Sequence, residues 1–261
     1  MAEKENRNSI QVIERMMQLL DALVREPGPT SLKYLARITG LHPPTAHQIL
    51  SVMVDIQIAE RVEVGSYRLG IRLLELGNLV KARVNVRQES LPYMRQLQQK
   101  LGETVNFSVR QMDEVVYVER AAGAQGMMRV VQVEGARAPL HITAVGKIFL
   151  AAEGVAGCKA YAKRNGLRAY TANTITSQSA LLKEIGEVTR LGYAFDNEEA
   201  KKGVSCIGAG IFDDDGKLVA GLSVSAPSDR LSRTWAQSIS ETALRISRAM
   251  GYRDVGSVTV V

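Results

Sequence analysis

The sequence predicts an α+β fold in two parts, and three observations carry that expectation. The N-terminal quarter holds short stretches of helical apolar periodicity broken by a sharp turn, a glycine-centred pair of strand-like pieces follows, and the remaining two thirds alternate helical and strand periods. From Ser9, the residues Ile10, Ile13, Met17, Leu20 and Val24 recur at helical spacing until Glu26-Pro27-Gly28-Pro29, which no helix crosses. Thr30-Ser31 then offer N-cap oxygens to a second helix with Leu32, Leu35, Ala36 and Ile38, and Gly40 stands where a left-handed terminal residue is wanted. Pro43-Pro44 can only open a helix, so a third runs from there through Thr45 to about Asp55 and buries Ala46, Ile49, Leu50 and Met53. Two helices joined at so tight a turn predict a helix-turn-helix.

Ile58 to Glu63 and Tyr67 to Leu69 flank Val64-Gly65-Ser66 and predict a hairpin, hence a wing. Arg72 to about Val86 returns to helical periodicity through Leu73, Leu76, Leu79, Val80 and Val84, a linker helix. The remainder predicts a helix with Met94, Leu97 and Leu101. Strands are expected at Thr104 to Arg110, Val115 to Ala121, Met127 to Glu134, Tyr193 to Asp196, Val204 to Phe212 and Leu218 to Ser225. Helices are expected at Ala144 to Ala152, Ser179 to Leu191 and Thr234 to Gly251. Asp213-Asp214-Asp215-Gly216-Lys217 reads as a solvated hairpin turn, because the distal glutamate of a calcium loop is missing. The boundaries are therefore 1–70 for the winged helix-turn-helix, 71–87 for the linker helix, 88–255 for the second domain and 256–261 for a tail.

Composition narrows the function. With 46% hydrophobic residues in 261, the chain can fill real cores, which excludes wholesale disorder. Cys158 and Cys206 belong to no CxxC pair, and with His42, His47 and His141 they make neither a disulfide framework nor a zinc site, so no metal or cofactor is expected. No apolar run reaches about 18 residues and the N-terminus is polar, so a cytoplasmic protein without a membrane segment is expected. The net charge of +6 is modest, and residues 1–87 carry half of it in one third of the length.

The segments SIQVIERMMQLLDAL, LKYLARITGLHPPTAHQILSVM, YRLG, ETVNFSVRQMDEVVYVER, GARAPLHITAVGK and GYAFDNEEAKKGVSCIGAGIFDDDGKLVAGLSVSAP occur in this order, and the whole chain resembles the IclR family of bacterial transcription regulators. The resemblance implies a winged helix-turn-helix joined by a helix to a GAF/PAS-like effector-binding domain, assembled as a homodimer or a dimer of dimers. It implies double-stranded operator DNA and a small organic acid, keto or aromatic, as partners. The third helix departs from the family: the usual basic residue and serine are Pro43 and Pro44, and a common arginine is Gln48. From His42 to Asp55 there is no Lys or Arg, so the bidentate arginine contact to guanine is unavailable there. Gln48 is left to pair with adenine, Thr45 and Ala46 to touch a thymine methyl, His47 to donate to a phosphate or base edge, and Pro44 lies beside them. Phosphate contacts then fall on Ser31, Lys33, Arg37, Arg61, Ser66, Tyr67 and Arg68, each of which also has an ordinary surface or core role.

In the second domain, Ala144-Val145-Gly146-Lys147 opens a helix whose N–H groups can receive a carboxylate. The resemblance puts effector contacts at Ala144 and Val145, at Asp196 and at Cys206. Lys147 is either a counter-ion or a solvated surface lysine, Asp196 a ligand acceptor or a turn cap, and Cys206 a contact or a buried structural thiol. Ser223 and Ser225 alternate with apolar residues on the last strand and supply hydroxyls on one face, while Met127, Val130 and Ala138 make an apolar wall. The competing expectation is a small-molecule-binding protein or Cys206-dependent enzyme, using His141 and Asp196, whose winged helix serves protein contacts. No P-loop, GxSxG or HExxH pattern supports an enzyme.

Overall fold

The computed structural model describes residues 2–81, 85–122 and 135–253. The chain divides into two compact units, Met1–Val84 and Asn85–Val261. Met127 and Val130, and the strand expected around them, lie outside the described residues.

In the first unit α1 (Ala2–Arg25) is followed by β1 (Thr30–Ser31), α2 (Leu32–Thr39), α3 (Pro43–Asp55), β2 (Ala59–Glu63), β3 (Ser66–Leu69) and α4 (Arg72–Lys81). Ser31 caps α2, its Oγ accepting from Tyr34 N at 3.3 Å, and Gly40 at φ +69° closes the helix in the left-handed region. Thr30-Ser31 do more than cap, because they pair with Tyr67 and Ser66 as a third strand in the order β1-β3-β2. The core joins Leu19, Ala22, Leu23, Leu35, Ala36, Ala46, Ile49, Leu50, Met53, Ala59 and Tyr67. The periodic stripe read on α1 is not the buried one: Ile13, Met17 and Val24 are exposed, whereas Leu19, Ala22 and Leu23 face α2 and α3. The helix carries apolar residues on more than one face, so periodicity alone did not choose between them.

The linker helix also differs from its expectation. α4 is assigned to Lys81, and Asn85 then takes extended backbone and caps a separate helix, α5 (Val86–Leu101), accepting at Oδ1 from Arg87 N and Gln88 N at 3.1 and 3.4 Å. An Asn side chain that satisfies the first orphan N–H groups starts a helix at that point.

The second unit continues with β4 (Thr104–Gln111), β5 (Glu114–Ala121), β6 (Arg137–Pro139), a 3-10 turn at Leu140–Ile142, α6 (Ala144–Ala152), α7 (Gly154–Asn165) and α8 (Gln178–Leu191). β7 (Tyr193–Asn197), β8 (Val204–Phe212), β9 (Leu218–Pro227) and α9 (Trp235–Ala249) complete it. The strands form one antiparallel sheet in the order β6-β5-β4-β9-β8-β7. α5 and α9 pack on each other and on one face, where Arg87 of α5 reaches Glu119 of β5 at 2.7 Å. α6 covers the other face. The short β6 and α7 were not expected; two glycines in α7 mask the Cys158 and Tyr161 pair that it buries.

Every residue of α6 from Ala144 to Leu150 is buried, so the helix needs a close seat. Glycines on β8 and β9 supply it. A β-carbon on Gly221 would lie 2.2 Å from Val145 Cγ1, and one on Gly208 would lie 3.2 Å from both Ala144 Cβ and Val145 N. Gly221→Ala is therefore expected to lower the urea-unfolding free energy by about 1–3 kcal/mol through overpacking, and Val145→Ala in the same chain to recover part of it. Strictly additive losses in the double variant would contradict this seat.

Candidate functional site

On α3 the alternation between core and solvent is complete over its first two turns. Ala46, Ile49, Leu50 and Met53 are buried, Thr45 is half-buried, and Pro44, His47 and Gln48 are exposed together. Ala46, expected to touch a thymine methyl, is fully enclosed by the core and is withdrawn from that role. The exposed face carries no acidic side chain before Asp55, so nothing on it repels a polyanion.

The flanking residues are placed unequally. Lys33 and Arg37 are exposed and border a groove with Gly40, His42 and Pro43 at the turn between α2 and α3. The guanidinium of Arg37 lies 5.1 Å from the Tyr34 ring, and Ser31 spends its hydroxyl as the α2 cap. On the wing Arg61 is exposed, Ser66 is half-buried, and Val64 at the tip is 95% exposed. Tyr67 is 1% exposed within the core, which removes it from the expected phosphate contacts. Arg68 is exposed but forks onto Glu60, directly opposite in the β2–β3 register, at 2.9 and 3.0 Å. Nothing local to either residue signals that pairing, because register decides it.

Among the described residues of the second unit that are expected to meet an effector, all but one converge. Asp196 stands opposite Cys206, Cys206 opposite Ser225, and Ser223 opposite Gly208. All four polar residues therefore share the sheet face that the glycines present to α6, and each is at most 5% exposed. Thr143 caps α6, accepting from Gly146 N at 3.0 Å, and Lys147 N begins the helical ladder on Thr143 O. That geometry leaves the N–H groups of Ala144 and Val145 at the helix start, beside Gly208, for an acceptor outside the helix. The Val145 side chain itself is core, wedged over Gly221. Ala138 is the exception. It lies on β6, the opposite edge strand from Asp196, and packs with Val115 and Leu140 rather than on the polar patch.

Lys147 overturns the expectation of a solvated surface lysine. It is fully buried, and its Nζ lies 2.9 Å from Glu184 Oε1 on α8 and 2.8 and 2.7 Å from the two carboxylate oxygens of Glu199. Glu199 in turn donates its backbone N–H to Asp196 Oδ1 at 2.7 Å. One ammonium thus ties α6 to α8 and to the turn that positions Asp196. Asp196 unites two roles read separately in the sequence: it caps that turn and faces the polar patch. Burial pushes its carboxyl up to about 6 and that of Glu199 up to about 7, opposed in both by Lys147.

The nucleophile reading of Cys206 does not survive. Its Sγ is 3.1 Å from Ser225 Oγ, and burial followed by the Asp196 charge pushes the thiol well above its ordinary range, opposite to what a nucleophile needs. His141 is engaged elsewhere, Nδ1 with Tyr161 Oη at 2.9 Å and Nε2 with Arg168 O at 3.1 Å. Asp213 spends Oδ1 on Asp215 N and Lys217 N at 3.0 and 2.9 Å, the solvated turn expected there.

A carboxyl raised on folding binds more protons in the folded than in the unfolded chain between its two pKa values, so stability falls as pH rises through that window. From Asp196 and Glu199 the loss is expected between about pH 4 and 7. Asp196→Asn should remove its share, on the order of 2–3 kcal/mol, and flatten the dependence. Urea titrations at pH 5 and 7.5 check this, and an equally steep dependence in the variant would contradict it.

Two family models match the chain: the IclR helix-turn-helix domain over residues 12–63 and the bacterial transcriptional regulator IclR C-terminal domain over 79–251. An uncharacterized HTH-type transcriptional regulator of Haemophilus influenzae is 33% identical, with 97% of each chain covered. The HTH-type transcriptional regulator XynR of Escherichia coli is 28% identical over 93% of this chain and 98% of its own. The crystal structure of the Agobacterium tumefaciens repressor BlcR superposes with a TM-score of 0.84 at 26% identity, covering 94% of this chain and 99% of that one. No helix among the described residues is long and apolar enough to cross a membrane. The chain belongs to the IclR family, a DNA-binding transcriptional regulator rather than an enzyme, with an N-terminal helix-turn-helix and a C-terminal ligand-binding domain.

Proposed function

We propose that this regulator reads a two-fold symmetric operator, controls a catabolic operon from the cytoplasm, and is switched by a small organic acid bound in the second unit. The observation that carries the DNA half is the exposed, acid-free face of α3, with Pro44, Thr45, His47 and Gln48 presented together. Gln48 pairs with adenine and Thr45 meets a thymine methyl, while Ser31, Lys33, Arg37, Arg61, Ser66 and Arg68 hold phosphates. The acid sits on the polar face formed by Asp196, Cys206, Ser223 and Ser225, its carboxylate received by hydroxyls and by the N–H groups at Ala144 and Val145. The division into Met1–Val84 and Asn85–Val261 gives each task its own unit.

A homodimer or a dimer of dimers follows from the exposed apolar side chains of α1 and α4. Val12, Ile13 and Met17 on α1, and Leu74, Leu76 and Leu79 on α4, are each 44–60% exposed, more apolar surface than these two helices keep in water unaided. Pairing places two α3 helices about 34 Å apart for half-sites on one face of the duplex. An effector that prefers one arrangement shifts operator affinity by its differential binding, a coupling of about 1–3 kcal/mol.

The experiment is sequencing of genomic fragments retained by the full-length protein at about 150 mM salt, where non-specific binding is weak. Enrichment of a few promoters sharing a two-fold site is expected, with loss of about 5- to 100-fold in specific affinity for Gln48→Ala. Glu60→Gln, which releases Arg68 from its partner, should instead tighten binding to any sequence a few-fold and steepen the salt dependence. Uniform retention, or enrichment indifferent to Gln48, would overturn the operator reading.

A further inference from the structure

The polar face of the second unit contains one group that none of the roles above uses. Asn106 on β4 lies opposite Ser223 in register, is 1% exposed, and donates Nδ2 to Ser225 Oγ at 3.1 Å. Its Oδ1 has no hydrogen-bond partner among the described residues. A buried carbonyl oxygen left unpaired is costly, and one placed at a binding face marks where a ligand donor belongs.

A polar row runs beside it along the patch. Asp196 Oδ1 accepts from Glu199 N and Ala200 N at 2.7 and 3.4 Å, and Cys206 Sγ lies 3.1 Å from Ser225 Oγ. The Asn106 amide nitrogen is the atom turned to Ser225, and the carbonyl oxygen is the atom left without a partner among the described residues.

We propose that Asn106 is an effector-contacting residue whose carbonyl oxygen accepts a hydrogen bond from a hydroxyl of the ligand, so that the regulator selects hydroxyl-bearing carboxylic acids over their keto or unsubstituted counterparts. This rests on the reading of that face as the effector site. Ser223, paired with Asn106 in the sheet, and the N–H groups at the start of α6 receive the carboxylate, which carries no proton near neutral pH. A keto oxygen is also only an acceptor. Either ligand without a hydroxyl would bury Asn106 Oδ1 still unpaired, and sites built to bond a hydroxyl reject analogues lacking it strongly.

The test is calorimetric titration of the full-length protein with four probe pairs: glycolate and glyoxylate, lactate and pyruvate, mandelate and benzoylformate, 4-hydroxybenzoate and benzoate. In each pair that binds, the hydroxyl-bearing member is expected to bind at least about tenfold tighter. Asn106→Leu should reduce that preference to within about threefold while keeping the affinity of the other member. Its ligand-free melting temperature should hold or rise, since an unsatisfied buried amide has been removed. Asn106→Ser, which withdraws the amide oxygen but stays polar, serves if the leucine variant misfolds. Equal affinities within the pairs, a preference that survives in both variants, or a ligand-free melting temperature lowered in both would overturn the proposal. Binding by none of the eight probes would overturn the organic-acid reading itself, an outcome distinct from equal binding.

Discussion

The architecture of the second unit turns on one buried ammonium group. Lys147 sits in the stretch of α6 buried from Ala144 to Leu150 and holds two carboxylates, one from α8 and one from the turn after β7. Burying an ion costs several kcal/mol, and only close partners offset it. That requirement fixes how α6 lies, and the position of α6 in turn demands glycine at 208 and 221. The polar patch inherits its geometry from the same constraint, because Glu199 both neutralises Lys147 and supplies the N–H that orients Asp196.

A consequence for recognition is that the two ends of the hydrogen-bond row differ in kind. At the Asp196 end the backbone N–H groups of Glu199 and Ala200 point at the carboxylate, and these and Lys147 oppose the upward push of burial on it. At the Asn106 end an acceptor is left over. In the proposed reading, a ligand that spans the patch brings an anionic group to the helix start and a proton donor toward β4. The first unit solves a different problem with little charge. Its third helix has no Lys or Arg, and Arg68 on the wing is held by Glu60, so the exposed face of α3 offers amide and imidazole groups while the cations lie on the elements that flank it.

Elements set by local chemistry were legible in the sequence. The proline pair that opens α3, the serine that caps α2, the glycine at 40 and the alternation of serines with apolar residues on β9 each act within a few residues of themselves, and each appears where it is expected. What depends on pairing at a distance was not. Arg68 and Glu60 meet only through register, and Thr30-Ser31 become a strand only because β3 lies beside them. Lys147, a residue type almost always solvated, is buried only because Glu184 and Glu199, far along the chain, arrive at its head. Tyr67 is open in the sequence between a phosphate contact and the small core, and the core takes its ring. The polar residues of β7, β8 and β9 were legible because strand alternation and the family resemblance agreed on them, whereas Asn106 carried no signal until its neighbours in the sheet were known.

The central claim, that the Lys147 charge and its carboxylates hold α6 and the patch together, is tested most directly by a double-mutant cycle on Lys147 and Glu199, measured by urea unfolding of the full-length protein at pH 8. Lys147→Met alone should cost about 3–5 kcal/mol, because it strands a buried carboxylate, and adding Glu199→Gln should recover a large part of that loss. A Lys147→Met variant within about 1 kcal/mol of the parent, or a second substitution that adds its own full cost, would contradict the account.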